Sequence, residues 1–302
     1  MDEHSQKGSL DNKNSKRRQR QREKRKQRRK NGKLNTNAGS PCKNIKSNAA
    51  EAEAEAERDI CAERWLKSRS EKEEWLSKFD LVDLLEKSDG LIRIENFLPQ
   101  HVAEFALSSI KSLPDYRWTV RSDRDNPTKN TTQHNFFVAS PEKSKESDPV
   151  TLLTDVIQNL LPGKRCVFSA GKYHEGDHIT EHDDHAYTYH EMPDGSDIKP
   201  VFCSRDVAVI YYLTKDWKGS DGGILIDLQS GTHYTPQFNS LIAFMVPRFH
   251  EVTAVRSRKG RDPRYSIFGW FLSEGDMYKY VKDPESPRNS GSRNRKKRRI
   301  QK

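Results

Sequence analysis

His182, Asp184 and His250 are the residues of this chain whose types and spacing could do chemistry together. Two imidazoles and one carboxylate make the facial set that holds a non-haem Fe(II) ion on one side and leaves positions open on the other. His182 and Asp184 stand two apart, so in a strand both project to one side while Asp183 faces away. The third ligand must then come from a distant strand, and His250 opens an apolar run that reads as one. Further on, Arg264 could clamp a carboxylate, because a guanidinium offers a planar, permanently charged fork. Arg258 and Arg261 compete for that role, but Arg264 alone is followed by Ser266 and then by Gly269-Trp270.

No single histidine here is decisive. His174, His178, His185 and His190 crowd the same segment, and a bare His-x-Asp recurs by chance. His174, His178 and His182 also fall at helical spacing, as a zinc-binding face would. Gly176 and the pair Ile179-Thr180 oppose a helix at that place.

The elements that must position these residues change character along the chain. Glu51 to Glu57 alternates glutamate with alanine and leads into Ile60, Trp65, Leu66, Trp75, Leu76, Phe79, Leu81, Leu84 and Leu85 at broadly helical spacing. This predicts a helical extension packed on the body, with Trp65 and Trp75 as an alternative partner-binding face. Ser88-Asp89-Gly90 ends it with turn chemistry. Leu91–Ile94 reads as a strand, and Pro99 opens a helix with Val102, Phe105, Ala106, Ile110 and Leu113 on one face. Residues 117–120 and 135–138 are short strand candidates around a polar loop over 123–132, and residues 149–161 have a helical period. Thereafter the runs are short, β-branched and aromatic: 166–168, 207–213, 223–226, 240–244, 252–255 and 265–272, punctuated by glycine, proline and asparagine. Phe268, Trp270 and Tyr211 read as core residues within these runs. The pattern predicts a mainly β protein with flanking helices (α+β), its core a barrel or double-sheet jelly roll.

Charge is placed unevenly. Residues 1–46 carry a net +12 and residues 284–302 a net +7, which leaves −9 on residues 47–283 of a chain whose total is +10. An acidic body thus stands between two basic tails. Lys16 to Lys30 holds 11 basic residues in 15, and Arg293 to Arg299 repeats the theme. Such blocks repel themselves and predict disorder, with a nuclear or nucleolar address or contact with RNA or another polyanion as their use; the cytoplasm is the alternative location. The cysteines Cys42, Cys61, Cys166 and Cys203 form no Cys-x-x-Cys pair, so reduced intracellular thiols are expected. A polar N-terminus and the lack of a long apolar run predict neither secretion nor a membrane span.

Taken in order, Tyr173-x-x-Gly176, His182-x-Asp184, Gly222-Gly223, Pro236-x-x-Asn239, His250-x-Val252 and Arg264-x-Ser266-x-x-Gly269-Trp270 resemble the 2-oxoglutarate and Fe(II)-dependent oxygenases of the prolyl 4-hydroxylase type. The likeness runs from about Leu91 to Glu274 and includes the lead-in Ile94-Glu-Asn-Phe-Leu98. His182-Asp183-Asp184 and the segment Arg205 to Trp217 are similar to the intracellular ribosomal-protein prolyl hydroxylases. The resemblance implies a double-stranded β-helix (cupin-like) core. It makes His182, Asp184 and His250 the Fe(II) ligands, Arg264 the partner of the distal carboxylate of 2-oxoglutarate, and Ser266 and Tyr173 further contacts to that cosubstrate. It implies C–H hydroxylation with O2, release of succinate and CO2, ascorbate as reductant, and a prolyl residue of an intracellular protein as substrate. The domains expected are a basic tail over 1–48, a helical extension over 49–89, an oxygenase domain over 90–278 and a second basic tail over 279–302. Nucleic-acid demethylation and a non-catalytic RNA-binding role are the alternatives.

Overall fold

A computed structural model describes residues 42–122, 132–142, 144–190, 199–256 and 261–278, and the side chains from residue 51 onward except residue 52. The two basic tails, Arg258 and most of the loop expected at 123–132 lie outside the described residues. The chain divides into two compact units, Met1–Glu55 and Ala56–Lys302, and the fold below belongs to the second.

Three helices precede the sheet: α1 (Cys42–Lys67), α2 (Arg69–Leu76) and α3 (Leu81–Lys87). The breaks between them follow from caps. The Ser68 hydroxyl accepts from the N–H of Glu71, and the Asp80 carboxylate from that of Asp83. α1 begins at Cys42, inside the stretch read as tail from its charge. Trp65 and Leu66 are buried in the core, and Trp75 Nε1 donates to the carbonyl of Phe97 at 2.8 Å. Both tryptophans therefore pack on the body rather than wait for a partner. Ile60, counted on the apolar face from its spacing, is 68% exposed.

Next come β1 (Leu91–Ile94), α4 (Gln100–Lys111), β2 (Thr119–Ser122), β3 (His134–Ala139) and α5 (Pro149–Gln158). Arg117 was expected in a strand. It closes a short 3-10 turn, Asp115–Arg117, and turns its guanidinium onto Glu142 and the buried Asp148. The remaining strands are β4 (Arg165–Tyr173), β5 (His178–His182), β6 (Tyr187–His190), β7 (Val201–Tyr212), β8 (Leu225–Asp227), β9 (Thr232–Tyr234), β10 (Ser240–Met245), β11 (His250–Val252) and β12 (Arg264–Glu274). β11 stops at Val252, short of the run to Val255 read from its residue types. There the backbone turns away, Val255 donating to the carbonyl of Asp177.

Among the described residues one antiparallel sheet runs β1-β10-β7-β12-β4-β3-β5-β11-β8-β9, with β2 beside β3 and β6 beside β7. β10 and β11 stand six places apart, about 29 Å on a flat sheet at 4.8 Å per strand. Yet the rings of Phe244 on β10 and His250 on β11 are 4.7 Å apart. The sheet is therefore curled on itself, a jelly roll with the helices outside. β3 makes the join, pairing Phe137–Ala139 with β4 and His134–Asn135 with β5.

Alternation along the long strands serves two apolar cores. Val207, Val209 and Tyr211 of β7, Leu241 and Ala243 of β10, and Tyr265, Ile267 and Phe271 of β12 join the helices. Ala208 and Tyr212, Ile242 and Phe244 and, on β12, Phe268 and Trp270 face the inside of the curl. Strands buried on both faces read as unbroken apolar runs, which is why these were the clearest in the sequence. The pairing of β7 with β12 slips once: Phe271 faces Val207 but Leu272 faces Arg205, so Asp206 is an extra residue in β7.

Candidate active site

The inside of the curl holds a cavity of about 650 Å³ lined by His182, Asp184, His250, Tyr173, Arg264 and Ser266, every residue marked for the site from sequence. β5 ends at His182 and pairs directly with β11, where His182 faces His250. One ligand-type atom from each of His182, Asp184 and His250 lies within 4.8 Å of the others. Asp184 Oδ1 is 3.4 Å from His182 Nε2, and Oδ2 is 3.8 Å from His250 Nε2.

Asp184 reaches this position by a route different from the one expected. It is not on β5; its φ of +60° places it in the left-handed region just past the strand end. Aspartate tolerates that conformation better than most residues. Convergence with His182 is thus set by a turn and not by two-residue alternation.

Hydrogen bonds settle how the imidazoles present themselves. His182 Nδ1 lies 2.8 Å from the carbonyl of Thr180, and His250 Nδ1 lies 2.7 Å from that of Arg248. A carbonyl only accepts, so each Nδ1 carries the proton and each Nε2 is turned toward Asp184, where the neutral ring has a lone pair to offer a metal. Arg248 is itself fixed by a two-point pair with buried Asp227. Burial lowers the His250 pKa to about 4, against the pull of Asp184, so this ring is neutral as a ligand must be. Burial alone would raise Asp184, but His182, His250 and Arg205 outweigh it and hold the carboxyl well below its usual range. For His182 burial pushes down, and the bond to Asp184 more than offsets it, so its pKa is raised. Two neutral-capable imidazoles and an ionised carboxylate with open space before them fit a divalent metal such as Fe(II).

Arg264 begins β12 opposite Tyr173, the last residue of β4. It is 2% exposed, donates from Nη1 to the carbonyl of Gly223 at 2.7 Å, and lies 3.8 Å over the Tyr173 ring. Among the described residues its Nε and the Ser266 hydroxyl are buried without a partner, as is the Tyr212 hydroxyl. Buried donors left unpaired cost free energy; here two of them line the same cavity as the metal-type ligands, a cradle that fits the carboxylate of 2-oxoglutarate. Gly222 shapes the approach. At φ +69°, a Cβ there would sit 2.0 Å from the carbonyl oxygen of Ala254. Arg261, the rival clamp, is taken by Asp221 and the carbonyl of Asp216.

Sequence reasoning misplaced Trp270 and missed Arg205. Read as core, Trp270 lines the cavity and donates from Nε1 to Asp184 Oδ2 at 2.9 Å. Arg205 stacks on the Trp270 ring at 3.6 Å and brings Nη1 to 3.4 Å from Asp184 Oδ1. Phe268, also read as core, lines the cavity too, whereas Tyr211 is core, donating to Asn239. The signal for Trp270 was its even spacing from Arg264 and Ser266, which puts all three on one strand face.

Residues 168–272 match the sequence model of the 2OG-Fe(II) oxygenase superfamily. Comparison with curated proteins found no match. Among solved structures, a prolyl-4-hydroxylase from Pseudomonas putida is 18% identical, with 63% of this chain and 96% of that one covered and a TM-score of 0.43. A prolyl hydroxylase from Trichoplax adhaerens, in complex with a hypoxia inducible factor peptide fragment, is 19% identical over 67% and 91% of the two chains, TM-score 0.45. A viral collagen prolyl hydroxylase from Paramecium Bursaria Chlorella virus-1 is 16% identical over 62% and 98%, TM-score 0.38. The stretch that matches the superfamily in sequence folds into a curl closed around two imidazoles and a carboxylate, and together these support a dioxygenase.

Proposed function

We propose that this dioxygenase hydroxylates a prolyl residue of an intracellular protein, nuclear or ribosomal, with His182, Asp184 and His250 holding Fe(II) and Arg264, Ser266 and Tyr173 holding 2-oxoglutarate. The observation that carries the site assignment is the pair of buried, unpartnered donors, Arg264 Nε and Ser266 Oγ, in the cavity that the three ligand-type residues share. When bound, Fe(II), 2-oxoglutarate and O2 supply the oxidising power for C–H hydroxylation, with succinate and CO2 released.

The chain's own part is to bind, aim and keep dry. Arg264 offers a charged fork to the distal carboxylate, and Ser266 adds a hydroxyl from the same strand face. Burial raises the Tyr173 pKa although Arg264 opposes it, so the phenol stays protonated and can donate to an anion. Phe136, Val138, Phe244, Val252 and Phe268 line the same cavity and exclude water around the reacting centre. The protein substrate is supported by the resemblance of the motifs, and the nuclear or nucleolar address by the basic runs at Lys16–Lys30 and Arg293–Arg299. Those runs would also hold RNA through phosphate contacts, and ascorbate would serve as the reductant.

The test compares wild type with His182→Ala for iron-dependent conversion of 2-oxoglutarate to succinate, and surveys hydroxyproline by mass spectrometry in cells carrying either form. Loss of turnover together with loss of hydroxyproline at particular peptides is expected. Unchanged hydroxyproline, with formaldehyde released from methylated oligonucleotides, would replace this reading with nucleic-acid demethylation.

A further inference from the structure

Directly after Asp184 the chain makes a hairpin strand that the sheet does not need. Among the described residues β6 pairs only with the outer end of β7 and lies off the path that closes the curl. Its alternation puts Tyr187 and Tyr189 on one face, with Phe202 of β7 opposite Tyr189. A face turned inward would bury such rings, and this one does the reverse: Tyr187 is 44%, Tyr189 68% and Phe202 37% exposed. The rings touch one another, Tyr187 stacked on Phe202 at 5.1 Å and Tyr189 tilted against it at 5.5 Å. They form a contiguous patch, not scattered apolar residues, and such patches mark interaction sites.

The patch is continuous with the site. Tyr278 lies 3.9 Å from the His185 ring and 5.4 Å from that of Tyr187. Its hydroxyl donates to the carbonyl of Arg205, whose guanidinium stands beside Asp184. One exposed carboxylate stands against the rings. Asp276 is exposed, accepts from the Tyr187 hydroxyl at 2.9 Å and forms no ion pair among the described residues. Exposed Glu274 lies two residues before it, beside Arg165, in a body that carries −9 over residues 47–283.

We infer that the Tyr187–Tyr189–Phe202 face docks an extended basic segment of the protein substrate, next to the residue that is hydroxylated. The inference rests on the protein-substrate reading above and adds where, and through what chemistry, that protein is held. Lysine and arginine side chains stack over exposed tyrosine and phenylalanine faces, and the unpaired Asp276 completes the match. Proline within such a segment keeps it extended and packs on aromatic rings. A single-stranded nucleic acid could use the rings, but its phosphates would meet Asp276 where they need a cation.

The test uses the full chain and a short fluorescein-labelled peptide alternating arginine, proline and glycine, with fluorescence anisotropy read in the absence of iron and 2-oxoglutarate. A version with glutamate for arginine and an oligouridylate serve as comparators. Wild type should bind the basic peptide, and Tyr189→Ala combined with Phe202→Ser should weaken it about tenfold or more. Tyr189→Phe, which keeps a ring face, should restore most of the affinity to a Tyr189→Ala chain. Because the basic tails can hold an acidic peptide on their own, the readout is the effect of the double variant: an equal loss for the glutamate peptide, or no effect on the basic peptide in a chain whose melting is unchanged, would overturn the inference. So would a loss in the double variant confined to oligouridylate. A chain that turns over no 2-oxoglutarate yet binds the basic peptide through Tyr189 would sink the oxygenase reading and with it the substrate role, and leave only the docking of a basic segment on this face.

Discussion

Replacing Trp270 by phenylalanine tests whether the metal centre depends on a neighbour that touches no metal. Asp184 sits outside β5 with φ +60°, so no strand geometry fixes its carboxylate. What aims it is the Trp270 Nε1 donor at 2.9 Å on one oxygen and the Arg205 guanidinium at 3.4 Å on the other. Phenylalanine keeps a ring for Arg205 to stack on and removes only the donor. A hydrogen bond to an ionised group is worth about 1.5–3 kcal/mol. That range corresponds to about one to two orders of magnitude in metal affinity, in line with the 10- to 100-fold typical of lost outer partners of metal ligands. The assay titrates Mn(II) or Fe(II) into the metal-free chain by calorimetry and follows 2-oxoglutarate turnover against iron concentration. Half-maximal iron should rise by at least about tenfold, while the melting temperature of the metal-free chain moves little because Trp270 is only half-buried. An iron dependence identical to wild type would refute the reasoning and return Trp270 to the status of a wall residue.

Arg264→Lys keeps the charge but loses the fork and the stack on Tyr173 at 3.8 Å, so KM for 2-oxoglutarate should rise about tenfold or more with a smaller change in kcat; an unchanged KM in steady-state kinetics would remove Arg264 from the cosubstrate site. Gly222→Ala must place a Cβ 2.0 Å from the carbonyl oxygen of Ala254 at φ +69°, and should destabilise the fold by more than the 1–3 kcal/mol or so that such a backbone position alone costs, read by chemical denaturation. Asp148 caps α5 and accepts from Arg117 and from the N–H groups of Glu142 and Thr151. Burial alone would raise its pKa, but these partners hold it below the usual range. A carboxyl lowered by folding stabilises the protein above its unfolded pKa of about 3.9 and loses that contribution as pH falls through the folded value. Asp148→Asn should therefore cost about 2 kcal/mol at neutral pH, and the gap from wild type should close on acidification in denaturation curves; a gap independent of pH would count against the assignment.

The ligand-type residues and Arg264 are legible from the order of the motifs that carry them and not from residue type alone, since His174, His178, His185 and His190 crowd the same segment and Arg258 and Arg261 compete for the clamp. Long strands with apolar residues on both faces announce themselves as runs, whereas β6 and β9 do not: Tyr187–His190 and Thr232–Tyr234 are too short and too polar to stand out. A tryptophan in a strand looks the same whether it fills a core or holds an aspartate, so the role of Trp270 shows only in the partner of its Nε1. The turn that brings Asp184 beside His182 is hidden because a two-residue spacing satisfies both a strand and the left-handed step that the chain takes.

Arg205 could not have been found by counting, and the reason lies in Asp206. Val207, Val209 and Tyr211 point toward the helices, so simple parity would send Arg205 after them into an apolar layer. The slip between Phe271 and Leu272 inserts one residue into the count and reverses it. Arg205 then lands on the cavity side, against Trp270 and Asp184, while Asp206 is left to pair with Lys164 and to accept from Ser273. The bulge is thus a parity switch: deleting Asp206 would leave Arg205 next to Val207 in regular alternation and still on the cavity side. A ladder made regular with Asp206 kept in register would instead leave the three ligand-type residues unaltered in sequence, yet take the guanidinium away from the carboxylate it attends and press a charge into the core.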